Sequence, residues 1–138
     1  IKDIDGPWTK GIALVGDKKL SLGGIENGIL RKMNEPRIHF AINCASFSCP
    51  KLSNEAYMAS KINEQLEKAA NDFINSDKNE ISAGNPKLSS IFDWYKKDYV
   101  VAGQPDVIAY INQYANTKID SNATLSYLEY DWNLNEQN

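Results

Sequence analysis

The apolar and polar positions divide the chain into short segments of different period. Lys10-Gly-Ile-Ala-Leu-Val15 and Lys18-Lys-Leu-Ser21 flank Gly16-Asp17, which predicts a β-hairpin about a glycine-containing turn. Ser21 is a suitable N-cap, and Leu22, Ile25 and Ile29, spaced by three and four, predict a helix reaching Lys32. Gly23, Gly24 and Gly28 each weaken that helix by about 1 kcal/mol, so tertiary packing has to hold it. After Pro36 the nearly continuous apolar run Ile38-His-Phe-Ala-Ile42 predicts a strand buried on both faces. Small residues then dominate Ala45 to Ser48, and Pro50 biases Cys49 away from helical angles, so the chain should turn there.

The longest predicted helix runs from a cap at Ser53 or Asn54 to about Asn75, with Met58, Ile62, Leu66, Ala69 or Ala70, and Phe73 as its apolar stripe. Beyond it, two short strands are expected at Asn79 to Ser82 and Lys87-Leu88, around Ala83-Gly-Asn-Pro86. A helix capped by Ser89 would carry Ile91, Phe92, Trp94 and Tyr95. Pro105 would sit in the first turn of another with Val107, Ile108, Ile111 and Tyr114. Strand formers from Thr124 to Trp132 should close the sheet. The elements intermix without regular alternation, so the expected class is α+β: a single domain over residues 1–138, with a small, mostly antiparallel sheet packed with about four helices.

Composition narrows the function classes. A chain of 138 residues buries a core without disulfides or metals, so its cysteines are not required for folding. A net charge of -3, with no Lys/Arg run longer than two, gives no basic field and argues against nucleic acid as a partner. No segment approaches the roughly 20 apolar residues of a transmembrane helix. The chain begins at Ile1 rather than Met, as a processed product or a fragment does. No phosphate-binding glycine loop and no serine nucleophile elbow occurs, and nothing calls for a cofactor.

The candidate chemistry is concentrated in Pro36-Arg-Ile-His-Phe-Ala-Ile-Asn-Cys-Ala-Ser-Phe-Ser-Cys-Pro50, which holds the single histidine, His39, and both cysteines, Cys44 and Cys49. As nucleophile and base, Cys49 is the better-placed thiol, just before the predicted long helix. His39 would be its base, oriented by Asn43, Asp93 or Glu26. On a regular strand His39 and Cys44 would face opposite ways. As a disulfide, the cysteines would need Cα atoms about 4.4 to 6.8 Å apart, contributing roughly 2 kcal/mol in an oxidising compartment. As metal ligands the three residues match no recurrent zinc spacing. For Glu26, Arg31 and Arg37 an ion pair linking the predicted helix and strand is the simplest role. Trp94, Tyr95 and Tyr99 suit either a groove for sugar or peptide or the core.

Taken in order, Ile1-Lys-Asp-Ile4 with Pro7-Trp8, Leu22-x-x-Ile-Glu26 with Ile29-Leu-Arg31, Pro36 to Cys44, Ser48-Cys-Pro50-x-Leu52, Glu55-Ala-Tyr57 and Ser90-Ile-Phe-x-Trp94 resemble the domain of unknown function 547 (DUF547) family. The resemblance implies a domain found in many bacterial proteins, often exported, without an established reaction. Its members usually carry a further upstream motif like Trp-Ile-Asn-x-Tyr-Asn, so it also implies a domain truncated at its N-terminus. On motif match it marks Glu26, Arg31, Arg37, His39, Cys44, Ser48 and Cys49 as site residues; Asn43 and Trp94 join them as binding candidates from their position. The resulting expectation is a periplasmic or extracellular domain with a His/Cys cleft that binds a protein or peptide. The alternative is a cysteine-dependent hydrolase or acyltransferase with Cys49 as nucleophile and His39 as base.

Overall fold

The predicted hairpin is the first element of the computed structural model, which describes residues 5–135. Strands β1 (Gly11–Val15) and β2 (Lys18–Ser21) pair antiparallel, and Gly16 takes the positive φ that their two-residue turn requires. Ser21 caps α1 (Leu22–Gly28), its side chain accepting from the Gly24 amide at 3.0 Å. The predicted helix to Lys32 breaks at Ile29, after Gly28, and resumes as a 3₁₀ turn over Leu30–Met33. Three glycines in seven residues leave too little intrinsic helicity to carry α1 past that point.

The predicted buried strand at 38–42 is instead a 3₁₀ helix, Pro36–Phe40. Glu35 is its N-cap, accepting from the Arg37 amide at 3.1 Å, and Pro36 occupies the first turn, where its fixed φ suits a helix and its missing amide costs nothing. A tight helical turn sends successive side chains in different directions. Ile38, His39 and Phe40 are therefore all buried, and the segment reads as an apolar run without being extended. Phe40 packs its ring 5.3 Å from Phe73 and 5.8 Å from Phe92.

Helix α2 (Ile62–Ile74) begins later than predicted, because residues 51–60 form bends and turns in place of a first half of helix. Ser53 caps only a local turn, and Leu52 and Met58 stay exposed. Gln65 ties the irregular stretch to α2, accepting from the Met58 amide and donating to the Ala56 carbonyl, both at 2.9 Å. Leu66, Ala70, Phe73 and Ile74 form the buried stripe, so the helix starts where its apolar side chains meet the Phe40 turn.

Among the described residues the strands form three separate two-stranded ladders, two of them antiparallel. The expected strand at 79–82 is reduced to a bridge between Glu80 and Lys87. The third ladder pairs β3 (Lys87–Leu88) in parallel with β6 (Ser126–Tyr127), which is all that remains of the predicted closing strand. Between them lie α3 (Ile91–Trp94), the hairpin of β4 (Val100–Val101) and β5 (Gln104–Pro105), and α4 (Val107–Ile111). Pro105 belongs to β5, and α4 is capped by Asp106, which accepts from the Ala109 amide at 2.8 Å. The class is α+β, with four α-helices among the described residues, and one largely aromatic core joins Phe40, Phe73, Phe92, Tyr99 and Tyr110 with Ile111.

Beyond β6 the chain returns to the cysteine loop. Phe47 donates to the Asn133 carbonyl (2.8 Å), Ser48 to that of Asp131 (3.2 Å) and Asn135 to that of Ala45 (2.8 Å), which brings Tyr130 and Trp132 alongside Cys44 and Trp94.

Candidate functional site

Buried in its 3₁₀ turn, His39 faces Asp98, which follows α3 and was not anticipated as a partner. His39 Nε2 lies 2.9 Å from Asp98 Oδ2. Arg31 grips the same carboxylate with both arms of its fork, Nε at 2.6 Å and Nη2 at 2.8 Å. Arg31 holds Asp98 below the usual carboxylate range. Burial is the largest influence on His39 and lowers its pKa despite the adjacent carboxylate, and the Arg31 charge adds a smaller push in the same direction. The ring is thus neutral near pH 7 and donates Nε2–H to Asp98. Tyr95 stacks on it with centroids 3.9 Å apart and donates its hydroxyl to Glu26 at 2.6 Å. A chain Arg31–Asp98–His39–Tyr95–Glu26 therefore runs from the ion pair to the cleft.

The cysteines form a second cluster. The Cys44 amide donates to Cys49 Sγ at 2.9 Å, while Cys44 Sγ lies 2.9 Å from Ser46 Oγ and 3.7 Å from the Tyr130 hydroxyl. Ser46 and Tyr130 are themselves joined at 2.9 Å. Both thiols are free. The neighbouring Cys49 thiol and then the Ser46 hydroxyl stabilise a negative sulfur and pull the Cys44 pKa well below that of an ordinary thiol; Cys49, beside that charge and buried, is pushed up. The pair is therefore asymmetric: the half-buried Cys44 is the thiol that ionises more readily, and the buried Cys49 is the one that holds its proton.

The two clusters meet in one cleft of about 370 Å³. Of the sequence-predicted residues, Glu26, His39, Asn43, Cys44, Cys49, Trp94 and Tyr95 line it, together with Trp8, Tyr130 and Trp132, whereas Tyr99 belongs to the core. Asn43 braces the loop by donating to the Pro50 carbonyl. The others lie elsewhere. Arg31 stands behind His39 on Asp98, Arg37 pairs with Glu35 (2.6 Å) and Glu67 (3.1 Å), and Ser48 accepts from the Asp131 amide at 2.9 Å. The expected ion pair linking Glu26 to Arg31 or Arg37 is thus replaced by pairs with Asp98, Glu35 and Glu67. Asp93 bonds Lys96 and does not orient His39. Because the His39 segment is helical, strand parity does not govern the cysteines, and among the described residues no hydrogen bond joins His39 to either sulfur. Asp98, Ser46, Tyr130 and Trp132 are the residues that sequence reasoning missed. Ser46 lay inside the candidate segment, but Asp98 and Tyr130 are 59 and 86 positions from their partners and had no local signal.

Among the described residues no group of three or more His, Cys, Asp or Glu side chains is arranged to hold a metal ion. No helix among them is long and apolar enough to cross a membrane. The pattern of the family described as protein of unknown function, DUF547, matches residues 6–74, half of the chain. The chain belongs to the DUF547 family. No curated protein and no solved structure matches it. The DUF547 match includes Glu26, His39 and both cysteines, while Trp94, Asp98, Tyr130 and Trp132 lie beyond it.

Proposed function

We propose that the cleft is a binding site for a protonated amine presented by a peptide, a lysine side chain or an amino terminus. The observation that carries this reading is the make-up of the wall: aromatic rings from Trp8, Trp94, Tyr95, Tyr130 and Trp132, the single carboxylate of Glu26, and no lysine or arginine among the described lining residues. A cation over such rings gains about 0.5–1 kcal/mol when exposed and about 2 when desolvated, and the carboxylate adds to it. Trp94, Tyr130 and Trp132 already pack at centroid distances of 4.6 to 5.9 Å, so the surface is organised before a ligand arrives. Tyr95 holds one Glu26 oxygen and leaves the other for the amine.

The test is a tryptophan-fluorescence titration with a lysine-containing peptide, its lysine-acetylated twin and the Glu26→Gln protein. Tighter binding of the charged peptide, weakened about 5- to 30-fold by Glu26→Gln, is expected. Equal binding of the two peptides would sink the reading. Export belongs to the same proposal, and fractionation of cells making the full-length protein tests it.

Thiol-dependent acyl transfer is a second reading, favoured by the hydroxyls of Ser46 and Tyr130 around Cys44 Sγ. On that reading Cys44 attacks in preference to Cys49, and an activated ester should give a burst of leaving group that Cys44→Ala abolishes.

A further inference from the structure

Beyond ligand binding, we infer that Cys44 and Cys49 are an attacking and a resolving thiol that exchange with small-molecule disulfides through the cleft. Three features of the loop carry this. First, Cys49 Sγ already sits 2.9 Å from the backbone nitrogen of Cys44, so the backbone need not move far to join the sulfurs. Second, the loop between them is held from both sides: the Cys49 amide donates to the Ser46 carbonyl at 3.1 Å, and residues 45, 47 and 48 are bonded through their backbone to the segment 131–135. Third, the two sulfurs are unequal. Cys44 is the more exposed and has hydroxyls from Ser46 and Tyr130 beside it, whereas Cys49 is 6% exposed, and both border the cleft. Their opposite pKa directions agree with that division.

The reaction balances as a two-electron exchange. The Cys44 thiolate attacks one sulfur of a disulfide R–S–S–R. The R–S–S–R bond breaks, Cys44–S–S–R forms, and one RS⁻ leaves. Cys49 then gives up its proton, which the departing thiolate takes, and attacks Cys44 Sγ. The bond to R breaks, the second RS⁻ leaves, and the protein holds Cys44–S–S–Cys49. The second RS⁻ takes from solvent the proton that Cys44 released on ionising, so the two protein thiols are oxidised and one R–S–S–R is reduced to two RSH.

The test incubates the full chain with oxidised glutathione at about pH 6, where an ordinary thiol is less than about 1% thiolate, and follows intact mass over time. The wild type should lose two hydrogens without accumulating an adduct. Cys49→Ser should keep one glutathione, mapped to Cys44, and Cys44→Ser should react more slowly than Cys49→Ser by about tenfold or more. A smaller ratio, or a wild type that stops at the mixed disulfide or does not react, overturns the inference. The wild-type arm needs no substitution, so it stands even if burying serine at position 49 disturbs folding. Binding of the charged peptide is measured separately, which keeps failure here distinct from failure of the binding proposal.

Discussion

Replacing Asp98 by Asn tests the frame behind the cleft. Asp98 accepts from Arg31 Nε and Nη2 and from His39 Nε2. In Asp98→Asn the volume is kept, the charge is lost, and the amide group must present a donor to a donor on Arg31 or His39. Hydrogen bonds to charged groups contribute about 1.5–3 kcal/mol each. The Arg31 and Asp98 side chains are 32% and 22% exposed, and solvent screening reduces that value, so the expected loss is about 2–3 kcal/mol in total. For a chain of 138 residues, unfolding entropy converts 1 kcal/mol to about 3.5 °C, which gives a Tm lower by about 7–10 °C. Calorimetry on the wild type, Asp98→Asn, His39→Gln and the double variant measures the loss and the His39–Asp98 coupling, expected at about 0.5 kcal/mol or more. A Tm shift below about 2 °C, or strictly additive variants, would refute the claim that this carboxylate organises His39.

Phe40→Ala removes the ring that joins the 3₁₀ turn to Phe73 and Phe92, and denaturant unfolding should register a loss of about 3–5 kcal/mol. Acid should destabilise the protein in two stages. The His39 pKa is lowered from 6.5, so the stability of the neutral buried ring is present above pH 6.5 and lost as pH falls through its folded value; that of Asp98, lowered from 3.8, is lost further down. His39→Gln should remove the upper limb of a Tm–pH profile, and an unchanged profile would contradict the assignment. In the β4–β5 turn, Ala102 and Gly103 both have positive φ, 50° and 82°, a conformation that costs alanine about 1–2 kcal/mol. Ala102→Asn should therefore raise stability by about 0.5–1 kcal/mol in the same unfolding assay.

The local signals in the sequence were strongest where one residue type permits one geometry. Gly16 at the hairpin turn and Ser21 at its cap stand where the pattern puts them. Pattern failed where burial comes from several directions. Ile38 to Ile42 gives the same apolar run for a buried strand as for a helical turn threaded through a core, and only the packing of Phe40 on α2 and of His39 on Tyr95 selects the latter. The stripe from Met58 to Phe73 likewise continued beyond the helix, because Met58 has no apolar surface to meet.

The sequence by itself determined the chemistry: one histidine and two cysteines within eleven residues, in a pattern that belongs to DUF547, with aromatic residues and Glu26 available nearby. Tertiary structure decided how that chemistry is wired. Asp98 reaches His39, and Tyr130 reaches Cys44, across 59 and 86 positions of chain, through contacts set by core packing and by the return of the segment after β6. Side-chain identity is local, whereas the field around a titrating atom is the sum of groups that folding brings within a few ångströms. For that reason the weight shifts from Cys49 to Cys44 only when the chain is folded.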